Sequence, residues 1–263
     1  MKALYSIFRI RRKAETQYRG AMLGGILCQM FFGLVLIAVY RALYETRPQS
    51  LPLQDVVTYV WLQQAFFRML LSSDGELSEK IASGGIAYDL CRPLNIYAYY
   101  FARDIATRMV SSLMRAVPMI LVALLLPDGW GLRGPASVPA LGCALISLLL
   151  GLFCVCALGS IARGFTLLTL DGRGIEALMN LLLMTFSGNI LPLTLFPDSW
   201  QGVIRALPYA QLLDAPVRIY TGNQALSGVP ALWLLQAGWT ILLILLGILL
   251  WKKNEKRLVL QGG

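Results

Sequence analysis

Residues 73–93 read SDGELSEKIASGGIAYDLCRP, the most charged segment between two apolar blocks of the chain. Asp74 can cap the first turn of a short helix there, and the glycine pair at 84–85 allows that helix to stop. Leu77 and Ile81 lie four residues apart, so they would form a small apolar stripe on an otherwise polar helix. Such a stripe is typical of a peg that docks in a partner's groove, or of a loop helix that packs on its own domain.

The composition around this segment is that of a membrane protein. The chain has 263 residues, of which 57% are apolar and 14% are charged, whereas soluble domains carry about 25% charged residues. The basic start runs to Arg19, which is too long for the n-region of a signal peptide, and no A-x-A-like site follows the first apolar block. We therefore expect that block to be retained as a membrane span.

Several kinds of chemistry are excluded by the residue types. The chain has no histidine, which removes Ser-His triads, Cys-His dyads and histidine-based metal sites. Its five cysteines lie mostly inside apolar blocks, so we interpret them as packing residues and expect no metal site. No G-x-x-x-x-G-K-[ST] motif occurs, so the chain has no P-loop for ATP.

Six apolar blocks are predicted to cross the membrane. The first has no charge over residues 20–40, and at 1.5 Å per residue it is about 31 Å long, enough for one crossing. The second is interrupted by Arg68, but Arg68 lies near one end, where its long side chain can reach the headgroups. The predicted spans are about 20–40, 56–71, 107–126, 138–162, 176–196 and 229–251.

The segments outside the spans are also distinctive. Residues 1–19 interleave six cations with apolar residues, which predicts a helix lying on the membrane surface or, alternatively, an unstructured basic arm. Residues 163–176 are predicted to be a second short polar loop, and residues 252–263 a polar tail. We treat residues 20–251 as one transmembrane domain.

The fifth apolar block is followed by a segment that is broken by prolines. Trp200, Ile204 and Leu207 lie at helical spacing, which predicts an amphipathic helix too short to span. We expect residues 190–222 to form a broken, partly re-entrant hairpin, since such backbone is tolerated where protein or a cavity covers it. The residues that define this hairpin are Pro192, Pro197, Trp200, Leu207 and Pro208.

The positive charges of the loops predict the orientation. Fourteen lysines and arginines fall on the side that holds both termini, and five fall on the other side. Cytoplasmic loops carry the excess of lysine and arginine, so both termini are expected in the cytoplasm, which requires an even number of spans. The net charge of +9 is therefore explained by topology, and no nucleic-acid partner is expected.

This arrangement resembles an ABC type-2 permease, the membrane subunit of an ATP-driven exporter. Six spans with cytoplasmic ends, a helix after the second span and a broken hairpin before the sixth agree with that family. The motifs that carry the resemblance are IASGGIAYDLCRPL at 81–94, SGNILPL at 187–193, FPD at 196–198, LPY at 207–209 and IYTG at 219–222. The chain is similar to six-helix permeases of bacterial inner membranes that occur beside a separate ATPase gene.

The resemblance implies how such a subunit would work. A coupling helix within residues 74–90 would sit in a cleft of an ABC ATPase dimer, which would bind the ATP and magnesium that this chain cannot. A second permease chain, identical or a similar sibling, would enclose the pathway between the first, second and fifth spans. The ATPase-coupling candidates are Glu76, Leu77, Lys80, Ile81, Gly84 and Tyr88.

Five polar residues within the spans are candidates for the pathway. Four carry amides, namely Gln29, Gln63, Asn180 and Asn189, and interhelical hydrogen bonding is the alternative interpretation of each. The fifth, Arg115, is seven residues beyond Arg108 and so about 10 Å deeper along its helix. It would reach back to the cytoplasmic headgroups, attract an anionic head group of lipid or cargo, or pair with an acid such as Glu176.

The positions of the acidic residues disfavour two other classes of membrane protein. An intramembrane enzyme would need paired acids at membrane depth, and the spans contain no such pair. A secondary transporter coupled to protons would favour an acidic residue at the midplane, whereas Asp104 and Glu176 are predicted at the cytoplasmic edges. The sequence contains no feature that identifies the cargo.

Overall fold

The computed structural model describes residues 6, 9, 10, 13, 19–46, 51–71, 77, 79, 80, 83–91, 95–169, 171–189, 192, 193 and 196–255. Every regular element in those residues is helical, which confirms the predicted all-α class. The helices are α1 (Arg19–Thr46), α2 (Leu53–Leu70), α3 (Ile86–Leu90), α4 (Ile96–Leu125), α5 (Val138–Thr169), α6 (Arg173–Phe186), α7 (Asp198–Ala206), α8 (Asp214–Thr221) and α9 (Val229–Glu255), with a 3-10 turn at Leu226–Gly228.

Four of these helices, α1, α4, α5 and α9, are long and apolar enough to cross a membrane. Helix α2 has 18 residues and α6 has 14, so they are about 27 Å and 21 Å long and fall short of a core about 30 Å thick. The fifth predicted span, 176–196, is helical only to Phe186. The six-span topology therefore stays a prediction.

Helix α2 lies in the interior, packed between α1 and α4. The face of α1 that packs against α2 contains Ile26, Ile37 and Tyr40, which are spaced by whole helical turns and are all buried. Gly33 of α1 lets the two helices approach, since a Cβ there would lie 3.4 Å from the Gln64 side chain. This interior position explains how α2 holds polar residues on several faces.

Helix α5 organises the other half of the bundle, with α8 and α9 packed against it. Gly151 of α5 lies against the backbone before α8, where a Cβ would come 2.6 Å from the Leu212 carbonyl oxygen. Ser147 donates a hydrogen bond of 3.0 Å to Gln236 of α9. At the other end of α9, Trp251 donates 2.7 Å to the carbonyl oxygen of Ser160. We call the end of the bundle where α1 begins and α9 finishes the terminal end.

The predicted loop at residues 163–176 is wrong over most of its length. Helix α5 continues to Thr169 and α6 begins at Arg173, so Arg163 is a buried helical residue. It stays helical because its charge is paired inside the bundle, as described below. Of the predicted surface helix, Ser6, Arg9, Ile10 and Lys13 are helical, and its other residues before Arg19 lie outside the described residues, as do residues 256–263.

The broken segment after α6 is present as two short helices. Helix α7 has nine residues and α8 has eight, and each is far too short to cross a membrane. Pro197 precedes the first turn of α7. Helix α8 ends at Gly222, whose φ of 82° is the left-handed conformation that favours glycine. Re-entry of this segment into a membrane stays a prediction.

Candidate functional site

A small cavity forms where α1, α2 and the segment after α6 meet. Three residues predicted from the sequence, Gln63, Asn189 and Pro192, come together in its wall. The remaining lining residues are Leu36, Tyr40, Tyr59, Val60, Gln64 and Gly188. The structure thus joins an amide of α2 to the start of the predicted hairpin, although 126 positions separate Gln63 from Asn189 in the sequence.

The polar groups at this cavity have few partners. The Gln63 Nε2 donates a long hydrogen bond of 3.5 Å to the Ser187 carbonyl oxygen. Among the described residues, the Gln63 Oε1, the Asn189 Oδ1 and the Ser187 hydroxyl have no hydrogen-bond partner. A buried polar group without a partner costs about 1–3 kcal/mol, so a polar partner would stabilise these groups, but the cavity as it stands here is too small for a water molecule. We call it the amide cavity.

A glycine is required at the wall of the amide cavity. Gly188 has a φ of 81°, and a Cβ there would collide with the hydroxyl of Tyr59. That hydroxyl donates 2.9 Å to Asp214 at the start of α8, and Asp214 in turn pairs with Arg218 at 2.8 Å. The cavity is therefore tied through Tyr59 to the α8 half of the hairpin.

The other three predicted pathway residues lie away from the amide cavity. Gln29 is buried on α1 with neither polar atom of its amide hydrogen-bonded to a described residue. Arg115 lies half-buried on α4 against Gly25 of α1. Asn180 is half-buried on α6, and its Oδ1 has no partner among the described residues. The predicted residues thus divide into the pair at the amide cavity, Arg115 and Gln29 about one turn apart along α1, and Asn180 on α6.

A buried cluster of charges, which the sequence did not predict, lies near the terminal end. The Asp104 carboxylate of α4 accepts 2.8 Å from the Arg108 Nε and lies 3.1 Å from the Arg163 Nη1 of α5. All three side chains are almost completely buried. Gly159 of α5 leaves the space they occupy, since a Cβ there would lie 3.2 Å from Asp104. Asp104 is therefore buried between helices, and its predicted position at the cytoplasmic edge of the membrane stays a prediction.

Arg108 also closes the end of α2. Its Nη1 donates to the carbonyl oxygens of Met69, Leu70 and Leu71, at 2.7, 3.1 and 3.0 Å. These are carbonyls that a helix leaves without partners in its last turn. The charge cluster thus fixes α4 and α5 to the point where α2 ends and the segment around residues 73–93 begins. The only sequence signal was the i,i+4 spacing of Asp104 and Arg108.

The segment after α2 packs partly on its own chain. Leu77 is 1% exposed in a cluster with Ile86, Ile96, Tyr100, Leu167 and Trp251. Leu77 is therefore an internal anchor in this structure, which agrees with the interpretation of a loop helix that packs on its own domain. Glu76 and Ile81 lie outside the described residues.

Three other coupling candidates have clear positions. Lys80 pairs with Asp89 at 2.7 Å, and Tyr100 of α4 donates 2.8 Å to the same carboxylate. Gly84 has a φ of 71°, which agrees with its predicted role in ending the helix. Tyr88 is 80% exposed, so it presents an aromatic ring on the surface of this segment.

The hairpin residues divide into buried and exposed sets. Pro192 and Pro208 are buried, whereas Leu207 is half-buried. Trp200 is 61% exposed on α7, and Ile204 on the other face of that helix is buried. The link between α7 and α8 is held from outside the hairpin, because Gln236 of α9 donates 2.7 Å to a carbonyl oxygen there, that of Gln211. An exposed tryptophan on a short amphipathic helix suits a membrane surface.

The chain matches a known protein family. The sequence profile of a family described as ABC-2 family transporter protein matches residues 25–262, which takes in every helix of the bundle except the first six residues of α1. No curated protein shows significant similarity to the chain.

Proposed function

The chain belongs to the ABC-2 transporter family, and from that premise we propose that it is the permease subunit of an ABC exporter driven by a separate ATPase. Two permease chains would enclose the pathway, and the ATPase would bind ATP and magnesium. The main observation in support of the pathway is that two amides, those of Gln63 and Asn189, meet where α1, α2 and the hairpin join, and that the amide oxygen of each has no hydrogen-bond partner among the described residues.

The proposed topology has six spans, with both termini in the cytoplasm of a bacterial inner membrane. The terminal end would then face the cytoplasm, in agreement with the exposed Lys252 and Lys253 in the last turn of α9. Helices α2 and α6 would be the second and fifth spans, with α2 tolerated at its length because other helices surround it. Helices α7 and α8 would form the re-entrant hairpin on the outer side.

The proposed coupling element is the segment between α2 and α4. Its exposed surface, which includes Tyr88, would contact the ATPase, and Leu77 would hold the segment on the bundle. Lys80, Gly84 and the undescribed Glu76 and Ile81 complete the candidate set. Movement of this segment would reach the spans through Arg108, because that side chain binds the last carbonyls of α2 and the carboxylate of α4.

The proposed dimer would use the apolar surfaces of α1 and α6. Leu27 and Phe31 on α1 and Leu178 and Leu181 on α6 are exposed, and together these surfaces are suited to a second permease chain or to lipid. Asn180, half-buried on α6, would then lie close to the dimer axis, whereas Gln29 is buried on the opposite face of α1 from Leu27 and Phe31.

Purification with an ATPase tests this function. The tagged chain is expressed together with an ABC ATPase encoded beside it, extracted in mild detergent and purified through the tag on the permease. The proposal predicts a stable complex with two ATPase subunits for two permease chains. Recovery of the chain without the ATPase, combined with transport that needs no ATP, would point to a secondary transporter instead.

A further inference from the structure

The guanidinium of Arg115 lies against the backbone of α1 inside the bundle. A Cβ placed on Gly25 would come 2.8 Å from the Arg115 Nη1, so the absence of a side chain at Gly25 makes room for this group. Gly25 is six residues beyond Arg19, the first residue of α1, which places the guanidinium about 9 Å along the helix from that cation. The Arg115 side chain therefore does not reach back to the level of Arg19.

The structure shows no hydrogen bond or ion pair between Arg115 and any other residue that it describes. This separates it from the buried arginines of the same bundle, Arg108 and Arg163, which share Asp104. A cation in the apolar part of a membrane is costly unless it is solvated or paired, so an anion from outside the chain would stabilise this guanidinium.

Two more unpartnered polar groups lie beside it. The Ser112 hydroxyl, one turn earlier on α4, is buried without a hydrogen-bond partner among the described residues. Gln29, one turn beyond Gly25 on the same face of α1, is 7% exposed, and both polar atoms of its amide lack a partner there. Arg115 and Ser112 of α4, with Gln29 one turn from the α1 glycine that Arg115 approaches, thus supply a cation, a hydroxyl and an amide without partners among the described residues.

We propose that Arg115, Ser112 and Gln29 bind the phosphate of an anionic amphiphile at the junction of α1 and α4. A guanidinium presents a planar set of donors that suits phosphate oxygens, and the hydroxyl and amide supply the additional hydrogen bonds. The acyl chains would lie against exposed apolar residues on the same faces of the two helices, at Phe32 of α1 and Val122 of α4, which are seven residues beyond Gly25 and Arg115. The inference rests on the proposed function for its membrane depth and names a ligand class for one of its pathway residues.

A second crevice competes as the place for such a ligand. It has a volume of about 720 Å³ between the start of α4 and the end of α9, and its wall includes Tyr97, Phe101, Ile248 and Lys252. Lys252 is exposed at its edge, and no described side chain of this wall is a buried polar group without a partner. The crevice can hold apolar chains, but the combination of a cation, a hydroxyl and an amide that suits phosphate lies at the α1–α4 site.

The test measures which lipid the full-length chain retains. The protein is incubated in mixed micelles with equal amounts of phosphatidylglycerol and phosphatidylcholine, separated from free lipid, and the bound lipids are counted by mass spectrometry. Wild-type protein is expected to retain phosphatidylglycerol about fivefold over phosphatidylcholine, as one membrane-level cation would confer. Arg115→Gln and Gly25→Ala should both reduce the ratio to about one.

The glycine variants distinguish lipid binding at this site from nonspecific attraction of anionic lipid to the positive charge of the protein. Gly25→Ala keeps every charge but displaces the guanidinium, whereas Gly24→Ala adds the same methyl group where nothing lies within 4 Å. Gly24→Ala and Lys252→Gln should therefore keep the wild-type ratio. A wild-type ratio near one, an unchanged ratio in Arg115→Gln, or a loss that follows Lys252 would overturn the proposal.

A second arm identifies the source of the phosphate. The complex with its ATPase is reconstituted with fluorescent phosphatidylglycerol, and the transfer of that lipid between leaflets is followed with and without ATP. ATP-dependent transfer that Arg115→Gln abolishes would identify the bound amphiphile as cargo, and retention without transfer would identify a resident lipid. Lipid retention needs neither ATP nor the ATPase, so failure of this inference is distinguishable from failure of the proposed function.

Discussion

Arg163 of α5 lies 3.1 Å from the carboxylate of Asp104 on α4, in a buried ion pair that joins two long helices. Asp104 also accepts from Arg108, and Arg108 holds the last carbonyls of α2. Three helices thus meet at one carboxylate, directly beside the start of the proposed coupling segment. In the proposed mechanism, this cluster makes α2, α4 and α5 move together when the segment moves.

Replacing Arg108 should destabilise the junction of α2, α4 and α5. Arg108→Gln removes the donor to three carbonyls and leaves Asp104 with a single arginine, so we expect a loss of about 3–5 kcal/mol, as for other buried pairs broken on one side. The check is the thermal unfolding of the purified protein in detergent.

Arg173→Gln is the matched control, because the Arg173 side chain is 94% exposed. An Arg108→Gln protein that unfolds at the wild-type temperature would show that the cluster does not hold the three helices together.

Two glutamines should respond oppositely to the same substitution. Gln236→Leu loses bonds to Ser147 and to the Gln211 carbonyl, so we expect a loss of stability of about 2–4 kcal/mol. Gln63→Leu removes an amide whose Oε1 has no partner among the described residues, so its stability should equal or exceed that of the wild type.

Thermal unfolding of the two variants side by side gives the comparison. Strong destabilisation by Gln63→Leu would mean that this amide is structural, and Gln63 would then leave the set of pathway candidates.

The orientation can be tested at Gly202 of α7. This residue is exposed with nothing within 4 Å of a Cβ, so a cysteine there should be accessible without disturbing the fold. In intact cells that carry a cysteine-free chain, Gly202→Cys should react with a membrane-impermeant thiol reagent, and Arg173→Cys should react only after the cells are opened. The reverse pattern would contradict the proposed topology.

Tyr88 should matter for binding the ATPase and not for folding. Its ring is 80% exposed, and removal of an aromatic residue at the centre of an interface typically costs about 2 kcal/mol or more. We expect Tyr88→Ala to weaken association with the ATPase about 30-fold, measured by titration of the purified subunits. Trp200→Ala, an exposed aromatic at the opposite end of the bundle, should leave the affinity unchanged.

The sequence predicted the helical class and the long apolar helices because hydrophobic length is a local property. It also identified Gln63, Asn189 and Pro192 separately, and the fold brings them into one cavity. Their meeting could not be predicted, since it depends on how α2 packs against the end of α6. The two amide residues were identified from the sequence because they are polar residues within apolar blocks.

Charge pairing between residues far apart in the chain was the main feature that could not be predicted from the sequence. Arg163 was placed in a loop because a lone arginine usually ends an apolar span, and its partner Asp104 is 59 positions earlier. The helical spacing of Leu77 and Ile81 predicts only an apolar face, which suits a partner's groove or the chain's own domain equally. Whether that face meets a partner or the chain's own Trp251 is decided by tertiary packing.

The central claim is that ATP bound by a separate ATPase moves the spans of this chain. The most direct measurement is the rate at which Asn189→Cys, in an otherwise cysteine-free chain, reacts with an impermeant thiol reagent added outside proteoliposomes that contain the ATPase complex. Trapping the complex with ATP and vanadate should raise that rate, because closure of the ATPase dimer would open the amide cavity outward, while the rate at Gly202→Cys should stay constant. Equal rates at position 189 with and without ATP would contradict the account.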